Sequence, residues 1–136
     1  MDFQHPAKPF SPSRADDPVE LSQPHRVFFL RHAFAPADPT LRDLFAEPQA
    51  CDRRLLVVVD QALVNARPGL QGELEAYFNH HRSELPQLVG FRTTPGGEQV
   101  KNDLSLLESM LGEFDRLKLD RHSYVLVIGG GATLDM

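Results

Sequence analysis

The chain has 136 residues, the length of one ordinary domain, and its 41% hydrophobic and 24% charged residues are typical of a globular protein. The formal net charge of -5 and the lack of any run of Lys and Arg argue against a general nucleic-acid binder. No stretch approaches the roughly 18 consecutive apolar residues of a membrane span, and the N-terminus does not resemble a secretory signal. We therefore expect a cytoplasmic protein that binds neither membranes nor nucleic acid.

Residues 1–24 have a composition unlike the rest of the chain. Prolines recur at positions 6, 9, 12, 18 and 24, and large apolar residues are few. Such a segment cannot bury enough apolar surface to offset the entropy lost on ordering, so we predict a disordered or loosely attached leader. The pattern changes at residue 25, and we expect residues 25–136 to fold as one α/β unit.

Short apolar runs predict four strands, over residues 26–30, 55–60, 88–93 and 124–128. The run that ends at Asp60 is the clearest, because it is continuous, β-branched and apolar. Such a run is expected of a parallel strand that is covered on both faces.

Helical spacing of apolar residues predicts three helices between these strands. The first is a short capped helix over residues 38–46, and the second covers residues 68–85. The third follows the turn Pro95-Gly96-Gly97 and is strongly amphipathic. Its apolar stripe contains Leu104, Leu107, Met110, Leu111, Phe114 and Leu117.

This alternation predicts a Rossmann-like α/β fold, with a parallel sheet whose strands are joined by right-handed crossovers. Ligands bind such sheets at the carboxyl ends of the strands. Three features fall at those ends: Asp60, the turn Gly96-Gly97-Glu98, and the triplet Gly129-Gly130-Gly131. They are far apart in sequence, but the topology brings them to one rim, and we predict a ligand site there.

Asp60 directly follows a buried strand. A carboxylate in this position can accept two hydrogen bonds from a ribose diol, as in dinucleotide-binding folds. Asp is equally common as a helix N-cap or a turn former, so the residue alone does not decide between the two roles.

The turn after the third predicted strand continues through Glu98 to Lys101. Its glycines allow close backbone approach and positive φ. Glu98 and Lys101 are three residues apart, so they lie on one side of the first helical turn. Glu98 could bind a sugar hydroxyl, and Lys101 a phosphate or carboxylate. The alternative is an ordinary turn with a weak surface ion pair.

The glycine triplet follows an apolar strand and precedes Ala132-Thr133-Leu134-Asp135. Consecutive glycine N–H groups and the positive end of a following helix together predict a pyrophosphate site. A flexible linker explains this placement poorly. Asp135, one turn further on, could hydrogen-bond a nicotinamide ribose or a substrate, or could simply be an acidic residue that is favourable near a helix N-terminus.

Metal binding within this chain is not expected. The six histidines have no H-E-x-x-H or comparable ligand spacing. The single cysteine, Cys51, has no partner for an internal disulfide, which agrees with a reducing compartment.

Three stretches together resemble the 3-dehydroquinate synthase family of sugar phosphate cyclases. Val57-Val58-Val59-Asp60 resembles the family's strand–Asp element, and Gly97-Glu98-Gln99-Val100-Lys101 is similar to its D-G-E-Q-x-K motif. Leu119-Asp120-Arg121, the triplet Gly129-Gly130-Gly131 and Asp135 resemble its L-x-R…G-G-G-x-x-x-D segment. The order and spacing agree, and the resemblance covers about residues 25–136.

The resemblance implies an NAD-binding domain of an enzyme that cyclises a heptulosonate 7-phosphate and eliminates phosphate in the shikimate pathway. NAD is used catalytically in that family, so the protein's task is to position cofactor, substrate and metal. Carried over residue by residue, Asp60 binds the adenosine ribose, Asp135 contacts the nicotinamide end, and the remaining residues line the cleft or cradle the pyrophosphate: Gly97, Glu98, Lys101, Gly130, Gly131 and Ala132.

Three departures from the family pattern leave the substrate open. Gly96 stands where the motif usually has Asp, Ala62 where a second ribose-binding residue is expected, and Leu134 where Gly usually precedes Asp135. The Leu134-Asp135 ending looks closer to the sedoheptulose 7-phosphate cyclases. The alternatives are an NAD domain like that of the iron-type alcohol and glycerol-1-phosphate dehydrogenases, or a non-catalytic nucleotide-binding module.

In this family the ligands of the zinc or cobalt ion, and the basic residues that hold the substrate phosphate, follow the segment that corresponds to this chain. We therefore expect an N-terminal part of such an enzyme, with no catalytic residue of its own, that is inactive alone and has an exposed sheet edge. The full-length form is expected to be a homodimer that acts on a small sugar phosphate.

Overall fold

The computed structural model describes residues 27–46, 48–97 and 103–135. The predicted leader, residues 1–24, lies outside the described residues. Glu98 and Lys101 also lie outside them, so their predicted roles stay predictions.

The core of the fold is a parallel sheet of three strands: β1 (Arg54–Asp60), β2 (Gln87–Thr94) and β3 (Tyr124–Ile128). β1 is central, and the order is β2-β1-β3. With helices between successive strands, this confirms the predicted α/β fold with a parallel, Rossmann-like sheet. The three strands lie where the patterns over residues 55–60, 88–93 and 124–128 predicted them.

The sequence of β1 explains its central place. Its five residues from Leu55 to Val59 are all completely buried, which requires an apolar side chain at every position and not at alternate ones. β-Branched Val is well suited to a pleated strand of this kind. β1 therefore fixes the positions of both neighbouring strands.

Five α-helices and a short 3-10 helix (Ala50–Asp52) accompany the strands in the described residues. Short helices α1 (Thr40–Leu44) and α2 (Gln61–Ala66) precede the longer α3 (Leu70–His80) and α4 (Leu104–Arg116). The last helix, α5 (Gly131–Leu134), begins at the third glycine of the triplet. The predicted helix over residues 68–85 is shorter than expected because the chain turns after His80, while Leu85 still reaches the core. The sequence pattern did not predict α2.

Helix α3 covers one face of the sheet. Its residues Leu70, Leu74, Tyr77 and Phe78 form one buried cluster with the residues of β1 that face them, Leu55, Val57 and Val59. The Tyr77 hydroxyl donates to the carbonyl of Asp38 at 2.8 Å and accepts from the N–H of Arg42 at 3.2 Å. α3 thus also fixes α1, and burial raises the pKa of Tyr77.

Helix α4 lies on the opposite face. A Cβ atom at Gly90 of β2 would lie 2.9 Å from a methyl carbon of Leu117 and from one of Leu56, so both leucines would have to shift to admit a side chain where the end of α4 crosses the strand. Arg92 of β2 reaches the same helix, where it donates to Glu113 Oε2 at 2.8 Å and to Ser109 Oγ at 2.9 Å. Within the apolar stripe of α4, Leu104, Leu107 and Leu111 are exposed.

The predicted strand over residues 26–30 is wrong in its described part. Residues 27–30 form no strand, and the side chain of Phe29 is 97% exposed. An apolar run becomes a strand only where a sheet edge accepts its hydrogen bonds, and the preference of such residues for strands depends on that packing.

Among the described residues, no helix combines the length and apolar character needed to cross a membrane.

The Arg92–Glu113 ion pair is expected to stabilise the fold because both side chains are largely buried, at 15% and 17% exposed. We predict that Arg92→Ala lowers the free energy of unfolding by about 2 kcal/mol, since it removes the buried arginine partner of Glu113 and leaves only the exposed Arg116. Urea denaturation measures the change.

Arg67→Ala is the matched control. Arg67 and Glu73 form an ion pair of similar length, 2.7 Å, but both side chains are about half exposed. Its loss should cost less than about 1 kcal/mol. Equal losses in the two variants would contradict the role given to Arg92.

Candidate functional site at the carboxyl rim of the sheet

The carboxyl ends of the three strands bring together the residues that the sequence predicted to meet. β1 ends at Asp60, β2 ends at Thr94 shortly before Gly96, and β3 is followed directly by the glycine triplet. In the parallel register Asp60 is opposite Thr94, and Val59 is opposite Ile128. We call this set of strand ends the rim.

Asp60 has a structural role in the rim. Its Oδ1 accepts a hydrogen bond from the N–H of Ala62 at 2.8 Å, and its backbone is extended, as expected of an N-cap for α2. The N-cap interpretation of Asp60 is therefore confirmed. A ribose-binding role remains compatible with it, because each carboxylate oxygen has two lone pairs.

The second carboxylate oxygen of Asp60 connects the rim across the sheet. Thr133 Oγ1 donates to Asp60 Oδ2 at 2.9 Å, and Thr133 itself is 2% exposed. This bond joins the end of β1 to the helix that follows the glycine triplet, 73 residues further along the chain. Sequence reasoning missed Thr133, because a single Thr after a glycine run has no distinctive pattern.

Gly96 lies against the same carboxylate. A Cβ atom at position 96 would lie 2.6 Å from Oδ2 of Asp60 and 2.9 Å from its Oδ1, which is too close for any side chain. An Asp there, as in the resembled motif, would also add a second negative charge beside Asp60.

The neighbouring Gly97 is explained by its backbone. It has a φ of 96°, a conformation that residues with a side chain rarely adopt. The turn after β2 therefore needs its two glycines for different reasons, contact at Gly96 and backbone geometry at Gly97.

The three glycines after β3 differ in the space that surrounds them. A Cβ atom at Gly129 would lie 2.8 Å from the Cβ of Thr133, so packing explains the first glycine. Cβ atoms at Gly130 and Gly131 would meet nothing within 4 Å, and Gly130 has an extended backbone, with φ -82° and ψ -179°, that any residue can adopt. The packing of the described chain does not require a glycine at either position.

The backbone after the triplet turns into α5. The N–H groups of Thr133 and Leu134 both donate to the carbonyl of Gly130 at 3.1 Å. The N–H groups of Gly131 and Ala132 precede these donors, so the helix itself provides no acceptor for them. The predicted pyrophosphate-binding residues are thus held at the start of a helix, with open space in front of two of them.

Thr94 is a second rim residue that sequence reasoning missed. It is completely buried, and among the described residues its hydroxyl has no hydrogen-bond partner. Buried hydroxyl groups are nearly always paired, so an unpaired one at a strand end needs an explanation.

The remaining predicted residues are only partly placed. Asp135 follows α5, is exposed, and donates its backbone N–H to the carbonyl of Gly131 at 2.9 Å. Glu98 and Lys101 fall outside the described ranges. Within those ranges no group of three or more His, Cys, Asp or Glu side chains could hold a metal ion.

A separate groove of about 670 Å³ lies away from the rim, between α3 and β2. It is lined by both polar and apolar side chains, and none of the predicted site residues contributes to it.

Comparison with models of protein families and with curated proteins gives no match for this chain. The likeness to the 3-dehydroquinate synthases therefore rests on the residues quoted above.

The two kinds of glycine in the triplet lead to a stability prediction. Gly129→Ala should lower the free energy of unfolding by about 1–3 kcal/mol, because the new methyl group collides with Thr133, whose Cβ is fixed to the backbone of α5. Gly130→Ala should change it by less than about 0.5 kcal/mol, since the added methyl group meets no atom. Urea denaturation of both variants tests this, and an equal loss in both would contradict the described packing.

Proposed function

We propose that the rim binds NAD, in an enzyme similar to the 3-dehydroquinate synthases that cyclises a sugar phosphate. The observation that carries this proposal is the meeting of Asp60 and the glycine loop at one rim, joined by the Thr133–Asp60 hydrogen bond, with open space in front of Gly130 and Gly131. Glycines that the chain's own packing does not require are explained if a ligand approaches the backbone closely there, as a pyrophosphate does in dinucleotide-binding folds.

The connection between Asp60 and the glycine loop supports NAD over an isolated phosphate. A dinucleotide needs an acceptor for its ribose and donors for its pyrophosphate at a fixed separation. The Thr133–Asp60 hydrogen bond holds these two parts together. Pre-organised groups of this kind bind more tightly because less freedom is lost on binding.

The donor set also fits the cofactor. Asp60 would accept from the adenosine ribose, and Gly130, Gly131 and Ala132 would donate backbone N–H groups to the pyrophosphate. Asp135 would contact the nicotinamide end, and Gly97, Glu98 and Lys101 would line the cleft. When bound, NAD supplies a site that accepts a hydride and later returns it.

The zinc or cobalt ion of the resembled family has no candidate ligand group in the described residues. The proposal assigns the rim to cofactor binding. Whether the substrate is a heptulosonate phosphate or sedoheptulose 7-phosphate depends on residues that contact the sugar, which the rim does not identify. Among NAD-dependent alternatives, Gly97, Glu98 and Lys101 favour a cyclase over an iron-type dehydrogenase.

Titration of NAD by calorimetry tests the assignment of Asp60. Asp60→Ala should weaken binding about ten- to a hundredfold, because a charged hydrogen-bond acceptor for the ribose is lost. Asp103→Ala is the matched control, since Asp103 also caps a helix, through bonds from the N–H groups of Ser105 and Leu106. Both variants should lose stability, but only Asp60→Ala should lose affinity.

Equal NAD affinity in the wild-type chain and Asp60→Ala would show that Asp60 serves the fold alone. An equal loss in Asp60→Ala and Asp103→Ala would point to general destabilisation.

The pyrophosphate assignment has its own test. Gly130→Ala should weaken NAD binding at least about tenfold, because its methyl group occupies the space in which the ligand approaches the backbone. Gly72→Ala is the control: a Cβ there also meets nothing within 4 Å, but Gly72 lies on α3, away from the rim. Unchanged affinity of Gly130→Ala in the same calorimetric titration would exclude the glycine loop as the pyrophosphate site.

A further inference from the structure

We infer that Thr94 is an additional ligand-contacting residue of the rim, whose hydroxyl bonds a hydroxyl of the same ribose that Asp60 binds. This inference rests on the proposed NAD site and extends it. Neither the sequence motifs nor the family resemblance pointed to Thr94.

The first support is the unpaired state of the hydroxyl. Thr94 is 0% exposed, and its Oγ1 has no hydrogen-bond partner in the described part of the chain. A buried hydroxyl without a partner destabilises the protein, whereas Val, which has the same shape, would not. A ligand that hydrogen-bonds this hydroxyl would explain why the position has Thr and not Val.

The second support is the position of Thr94 in the sheet. It is the last residue of β2, and its Cα is opposite that of Asp60. Side chains alternate along a strand, so Thr94 lies on the same face as Gly90 and Arg92, the face that α4 covers. Asp60 lies on this face as well, because it alternates with Leu56, which contacts the Gly90 position.

The third support is that the residues directly after Thr94 lie at the surface. Pro95, Gly96 and Gly97 follow it directly, and all three are exposed. Gly96 lies against the Asp60 carboxylate. The unpaired hydroxyl is therefore next to a surface turn that touches the proposed ribose acceptor, and the inference requires this turn to move when the ligand binds.

The chemistry of the two side chains is complementary. A carboxylate only accepts hydrogen bonds, whereas a hydroxyl both donates and accepts. A ribose presents two neighbouring hydroxyls. Asp60 can accept from one of them, and Thr94 can donate to or accept from the other. The two rim threonines thus have different tasks, since Thr133 already donates to Asp60.

The experiment compares Thr94→Val, which removes only the hydroxyl, with Thr94→Ser, which keeps it. Affinity is measured by calorimetry with NAD, and with NAD that lacks the 2′- or the 3′-hydroxyl of the adenosine ribose. Urea denaturation without ligand is measured in parallel. We expect Thr94→Val to be at least as stable as the wild type, yet to bind NAD about five- to tenfold more weakly. Thr94→Ser should stay within about twofold of the wild type.

The two deoxy forms of NAD locate the contact. With one of them the penalty of Thr94→Val should disappear, because the hydroxyl that Thr94 contacts is already missing. A penalty of equal size with all three ligands would contradict the assignment to the ribose. Wild-type affinity of Thr94→Val, or a loss of its stability without ligand, would contradict the inference, the latter by showing that the hydroxyl has a partner within the protein.

Failure of the inference is distinguishable from failure of the NAD site. If Asp60→Ala and Gly130→Ala lose affinity while Thr94→Val does not, the site stands and the role of Thr94 is wrong. If the wild-type chain shows no saturable NAD binding, both are wrong.

Discussion

The hydrogen bond from Thr133 to Asp60 is the interaction on which the rim depends. It joins the end of the central strand to the helix after β3, and so fixes the glycine triplet relative to β1. The same carboxylate caps α2 and excludes any side chain at Gly96. One residue therefore contacts three chain segments: α2, which follows it directly, and the more distant turn at Gly96 and helix α5. β1, which is buried from Leu55 to Val59, pairs in parallel with both neighbouring strands.

This arrangement explains why Asp60 can cap α2 and still be available for the proposed contact with a ribose. Its N-cap bond uses one lone pair of Oδ1, and the bond from Thr133 uses one of Oδ2. The remaining lone pairs are those that the proposed ribose contact would use. The glycines at the rim also differ in whether packing within the chain explains them. Gly96 and Gly129 make room for Asp60 and Thr133, whereas Gly130 and Gly131 leave space that the described chain does not fill.

Much of the fold was predictable because its signals are local. The continuous run from Leu55 to Val59 is typical of a doubly covered strand, and β3 has a similar apolar run before its glycines. The run over residues 26–30 was misleading, since strand formation depends on a neighbouring edge that sequence does not show. Helix α2 was missed because six residues are too few to show a helical period of apolar side chains. Its N-cap, Asp60, was also a candidate ligand-binding residue.

The rim was predictable in outline but not in detail. Topology alone placed Asp60, the Gly96 turn and the triplet at one edge of the sheet. Thr94 and Thr133 could not be singled out, because isolated threonines become informative only when their burial and partners are known. The reason for Gly96 was likewise invisible until its contact with Asp60 was seen. Glu98 and Lys101 stay predictions.

The most direct test of the central claim is to follow backbone amide resonances by NMR while NAD is added to the chain. If the rim binds NAD through the glycine loop, the largest shifts belong to the amides of Gly130, Gly131 and Ala132, with smaller ones at Thr133 and Ala62. Shifts confined to the groove between α3 and β2, or no shifts at saturating NAD, would contradict the account.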